Sequence, residues 1–91
     1  MNNQNAIVRS ISKISPEILV TAEMLSGKYG PLIDVVGLAE IFRTKASTIT
    51  QNISKEVFPV SVTKIGGKWY ATAYAVAEYI VENKQNKNSA A

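Results

Sequence analysis

Ninety-one residues and 9.9 kDa leave room for one domain, because a chain this short cannot bury two separate cores. Hydrophobic residues at 46% and charged residues at 19% are the mixture of an ordinary folded domain and too apolar for an intrinsically disordered chain. No apolar run is longer than residues 73–77, far short of the ~18 needed to cross a bilayer, and the Asn-rich start lacks the cationic and apolar regions of a secretory signal. A cytoplasmic protein is expected.

Taken in chain order, residues 1–13 are polar and read as a flexible arm, followed by a domain over 14–83 and a polar tail over 84–91. Ser15-Pro16-Glu17 opens a first helix as N-cap, first-turn proline and dipole-favoured acid, with Ile18, Ala22 and Leu25 as its apolar stripe and Gly27 as its stop. Tyr29-Gly30-Pro31 breaks the chain, Leu32-Ile33 is a short extended piece, and Asp34 caps a second helix to about Phe42. Val35, Leu38, Ala39 and Phe42 give that helix one buried face.

After a three-residue turn, Arg43-Thr44-Lys45, a new apolar stripe begins at Ala46, Ile49, Ile53 and Val57. Opposite it lie Thr44, Ser47, Thr48, Gln51 and Lys55, hydrogen-bonding side chains instead of the Glu/Lys mixture of a merely solvated helix. Phe58-Pro59 ends this helix. Val60 to Ile65 then alternates apolar and polar up to Gly66-Gly67, the signature of a two-residue hairpin loop, with Lys68-Trp69-Tyr70 as the return strand. That loop pairs Ile65 with Lys68, Lys64 with Trp69 and Thr63 with Tyr70, turning Val60, Val62 and Trp69 toward the core. Thr72 caps a last helix to about Asn83, burying Ala73, Val76, Ala77 and Ile80.

Charge and chemistry narrow the function. Without cysteine or histidine the chain has no thiolate, imidazole base or usual zinc ligand set, and its carboxylates are scattered except for Glu78 and Glu82, a solvated i,i+4 pair. We therefore expect no enzyme, no cofactor, no metal and no small-molecule substrate. The net charge is +3, and its distribution is uneven. Residues 1–42 carry net −1 and residues 69–91 are balanced, whereas 43–68 hold Arg43, Lys45, Lys55, Lys64 and Lys68 against Glu56, net +4.

The expected fold class is α+β, mainly α: a winged helix-turn-helix with a leading helix, a two-stranded β-hairpin wing and a closing helix. This layout binds double-stranded DNA with its second helix, here about 46–55, in the major groove and its hairpin, 60–70, on backbone or in the minor groove. Arg43, Lys45, Lys55, Lys64 and Lys68 are the candidate phosphate contacts, with Thr44, Ser47 and Thr48 at the helix start bonding phosphate or base. Gln51 leads the base contacts, because its amide pairs bidentately with adenine for about 1–3 kcal/mol of discrimination. Trp69 is either core or a stacking platform. Tyr74, Tyr79 and Val81 lie off the last helix's buried stripe, and they either pack on the first helix or form an oligomerisation surface.

The runs Val36 to Phe42, Ala46 to Ile49, Phe58 to Val60, Lys64 to Tyr70 and Val76 to Ile80 also resemble the small winged-helix proteins of phages and mobile elements. These are the excisionases, the AlpA-type regulators and the MerR-like DNA-binding heads. The leading helix with Tyr29 to Ile33 is similar to the pyocin activator family, and the resemblance spans roughly residues 17–82. It implies a transcriptional regulator or a recombination directionality factor, binding DNA in several copies. Two departures stand out: Lys55 is the lone cation of the second helix, where such helices are usually richer in Arg, and Ala75 stands where an acid is common. A protein-interaction module, an adaptor or antirepressor on a winged-helix scaffold without DNA binding, is the alternative that a weakly basic helix would suit.

Overall fold

The computed structural model of the chain describes residues 15–90, with side chains described for 15–83, so the expected arm lies outside the described residues. Four helices and three strands follow in the order α1 (Pro16–Tyr29), β1 (Leu32–Asp34), α2 (Val35–Phe42), α3 (Ala46–Ser54), β2 (Thr63–Ile65), β3 (Lys68–Thr72) and α4 (Ala73–Ala90). The result is a small, mainly helical α+β fold compatible with a winged helix.

Three of the four helix starts are the sequence-coded caps. Ser15 Oγ accepts from the Glu17 amide at 3.1 Å, Asp34 Oδ1 from the Gly37 amide at 2.9 Å, and Thr72 Oγ1 from the Ala75 amide at 3.0 Å. The stops are less local. Gly27 does not end α1, since a helix tolerates one glycine at about 1 kcal/mol; the chain leaves the helix at Gly30, which takes φ 89°. α2 ends on Arg43 in the left-handed region, φ 57° and ψ 50°, with the Thr44 amide reaching back to the Ala39 carbonyl at 2.9 Å. α3 ends the same way: Glu56 turns left-handed and the Val57 amide bonds the Asn52 carbonyl at 2.9 Å. Val57, expected on the buried stripe, is thereby carried out to 62% exposure. α4 passes Asn83 and runs to Ala90, because no glycine or proline interrupts 83–90, so most of the expected tail is helical backbone.

The sheet is three-stranded and antiparallel, order β1-β3-β2, where a two-stranded wing was expected. The hairpin register is the predicted one: Ile65 faces Lys68, Lys64 faces Trp69 and Thr63 faces Tyr70. Gly66 and Gly67, at φ 58° and 83°, supply the two positive dihedrals that a hairpin loop of this length requires. The addition is β1, whose Leu32, Ile33 and Asp34 pair with Thr72, Ala71 and Tyr70. β3 therefore runs two residues past the expected return strand, while β2 holds only Thr63–Ile65 of the expected Val60–Ile65.

The core joins Ile33 and Ala71 of the sheet to Leu38, Ile49, Ile53, Val60, Ala73 and Val76. Phe42 meets Phe58 and Tyr79 edge-on, each at 5.7 Å between ring centroids. Ile18 of α1 packs with Ala77 and Val81 of α4 in a second cluster. Of the three residues read as packing on the first helix or as an oligomerisation surface, two pack within the domain. Val81 is 3% exposed under α1 and Tyr79 leans on Phe42, so Tyr74 alone of the three is exposed. α4 needs two apolar sides because it packs on α1 as well as on the core. Among the described residues no helix is long and apolar enough to cross a membrane.

Candidate nucleic-acid interface

α3 is anchored by Ile49 and Ile53, buried to 1% and 7%, which fixes which side it presents outward. That side carries Ser47, Thr50, Gln51 and Ser54, all exposed. Thr48, placed on the outer face by the helical wheel, is instead half-buried on the flank. Lys45 occupies the N-cap position without a side-chain hydrogen bond, so α3 starts with a cation beside first-turn amides that no side chain caps.

Arg43, Thr44 and Lys45 are exposed in the turn that leads into α3, and Lys55 is exposed where α3 ends. Lys64 and Lys68 are exposed on the hairpin at either side of its glycine loop. None of these five basic residues has a carboxylate within salt-bridge distance among the described residues. Glu40, the acid nearest in sequence before the turn, is instead engaged by the Tyr29 hydroxyl, which donates to Oε1 at 2.8 Å. That hydrogen bond, then desolvation and the Glu40 charge, raise the Tyr29 phenol above its ordinary value of 10.0, against a smaller opposing effect of Lys28.

Between α3 and the hairpin lies a cleft of about 390 Å³. Thr50 forms one side, Lys64, Gly67, Lys68 and Trp69 the other, and Val35 and Val36 at the start of α2 close the end together with Asp34. Trp69 is half-buried against the core, and Lys64 Nζ sits 5.5 Å from the centre of its ring, so the indole serves as core and as a platform for the ammonium. The structure thus brings Lys64 and Lys68 up to the Thr50 flank of α3, while Arg43 and Lys45 approach the same helix through its leading turn.

Thr50 and Val36 were missed by the sequence reading. Thr50 stands to one side of the wheel's outer face, and its role depends on where the hairpin packs, which no local pattern states. Val36 is 63% exposed and lies off the stripe of Val35, Leu38, Ala39 and Phe42 that the sequence reading assigned to this helix. No protein-family model, curated protein or solved structure gives a significant match to the chain.

Proposed function

We propose that this protein binds double-stranded DNA in a sequence-specific manner, with α3 in the major groove and the β2–β3 hairpin on the adjacent backbone or minor groove. The observation that carries this reading is the set of five cations without carboxylate partners among the described residues, Arg43, Lys45, Lys55, Lys64 and Lys68, framing a helix whose outer face is short and hydrogen-bonding. Cations on such a surface neutralise DNA phosphates and release the counterions condensed on the duplex, and a helix in the major groove meets base edges with hydrogen-bonding side chains such as Ser, Thr and Gln. The phage-type resemblance adds the biological role: a transcriptional regulator or a recombination directionality factor, acting in several copies.

The test is a selection from a short random duplex library at two salt concentrations, followed by anisotropy titration of the enriched sequence. Enrichment of a repeated motif that salt weakens supports the proposal. Binding that neither enriches a sequence nor responds to salt refutes it and directs the search to a protein partner of the same surface.

A further inference from the structure

The cleft between α3 and the hairpin has the lining of a small-molecule site. At about 390 Å³ it falls within the range of clefts that hold small organic ligands, about 300–1,000 Å³. Its apolar surface comes from the half-buried Trp69 and from Val35 and Val36, the last 63% exposed. A flat ring seated against Val36 and the indole would take both out of water.

The charge of the lining is asymmetric. Lys64 and Lys68 line the hairpin side, and neither has a carboxylate within salt-bridge distance among the described residues. Lys64 Nζ rests 5.5 Å from the centre of the Trp69 ring, a weaker partner for an ammonium than a carboxylate. Asp34 is the one acid of the lining, and its Oδ1 already accepts from the Gly37 amide at 2.9 Å. Thr50 adds a hydroxyl from the α3 flank. A ligand that satisfies this lining has a flat apolar body and one negative end. A bare phosphate leaves the valines wet, and a neutral arene leaves both ammonium groups unpaired.

We propose that this cleft binds a small aromatic carboxylate, its ring against Val36 and Trp69 and its carboxylate between Lys64 and Lys68. Those lysines are the hairpin cations of the DNA reading, so an occupied cleft presents two fewer charges to a duplex and the two ligands compete. The competition rests on that reading; the site itself does not.

The test titrates the full chain, without DNA, with benzoate and naphthoate. Trp69 is the sole tryptophan, so its indole N–H gives a single resonance in a nitrogen-labelled sample. Saturable shifts of that resonance and of the Thr50 and Lys68 amides are expected, with a Kd on the order of millimolar for ligands this small. Inorganic phosphate, benzamide and cyclohexanecarboxylate each lack one part of the chemistry and should bind at least about tenfold more weakly. Lys64→Gln with Lys68→Gln, both exposed, should weaken naphthoate about five- to tenfold, and Val36→Glu should abolish its binding while circular dichroism shows the fold retained. No saturable shift with either arene, or equal binding of any of the three controls, overturns the site. In a separate arm at constant ionic strength, saturating naphthoate should weaken binding of the selected duplex about tenfold. Unchanged duplex affinity overturns the competition alone, and a chain that binds no duplex overturns the competition together with the DNA reading.

Discussion

Gly27 and Gly37 both sit inside helices, and replacing each with alanine should move stability in opposite directions. Alanine is favoured over glycine in a helix interior by about 1 kcal/mol, so the propensity gain is common to both variants. At Gly27, exposed on α1, an added Cβ meets no atom within 4 Å, and the gain stands alone. At Gly37 the same Cβ would lie 2.8 Å from Ile33 Cγ2 and 3.1 Å from Tyr29 Cδ1. Ile33 is fully buried and cannot swing aside, so Gly37→Ala carries an overpacking cost of about 1–3 kcal/mol, which outweighs the gain by about 1 kcal/mol. The two variants should therefore differ by about 2 kcal/mol, or about 8–16 °C in Tm for a domain of this size. Thermal unfolding followed by circular dichroism reads this directly. If Gly37→Ala raises Tm as Gly27→Ala does, the close approach of α2 to β1 and α1 is wrong, and with it the placement of the cleft beside α3.

On the DNA side, five phosphate contacts predict that affinity falls with salt at a log–log slope of about −4 to −5, and Lys68→Ala should reduce the slope by about 0.9 while weakening every sequence alike. Gln51→Ala should instead weaken the selected sequence by about 1–3 kcal/mol and leave random duplex unchanged; equal losses on both would refute its role in reading bases. Arg43→Gly separates folding from binding. The left-handed conformation at φ 57° costs a non-glycine residue about 1–2 kcal/mol, so glycine should leave Tm level or raise it, while titration shows weaker duplex binding. The folded chain holds the Tyr29 proton longer than the unfolded chain, because the phenol is raised above 10.0. That contribution is full below about pH 10 and is lost as pH climbs through the raised value. Tyr29→Phe should flatten this alkaline loss in denaturant titrations at stepped pH, and an unchanged pH profile would refute the coupling.

How much of this was legible beforehand follows the range of each signal. The caps Ser15, Asp34 and Thr72, and the hairpin register around Gly66-Gly67, depend on residues two to seven positions apart, and each was readable. The pairing of Leu32–Asp34 with Tyr70–Thr72 was not, because a three-residue strand has no periodicity and its partner lies 36–40 residues away. Gly27 misled because a glycine within a helix and one that ends it look alike until the backbone dihedral is known. Val57 continued a helical stripe that the chain abandons at Glu56, and for Val81 the choice between packing on the first helix and self-association depended on where α1 lies against α4, which no local pattern states. At the candidate interface, α3 and its cations could be read from the sequence. The place of Thr50 and Val36 in the cleft could not, since the cleft is formed by the position of the hairpin.

The central place of β3 also orders the assembly of the molecule. The β2–β3 turn closes over two residues and should form within microseconds, whereas β1 must find the far end of the same strand across two intervening helices. The hairpin is then the template and β1 the late arrival. α4 follows β3 without a linker, and the Ala73 amide bonds the Pro31 carbonyl at 3.0 Å, so docking of β1 and alignment of the closing helix are one event. Substitutions in Gly66-Gly67 should slow folding, while those in Leu32–Asp34 should chiefly hasten unfolding.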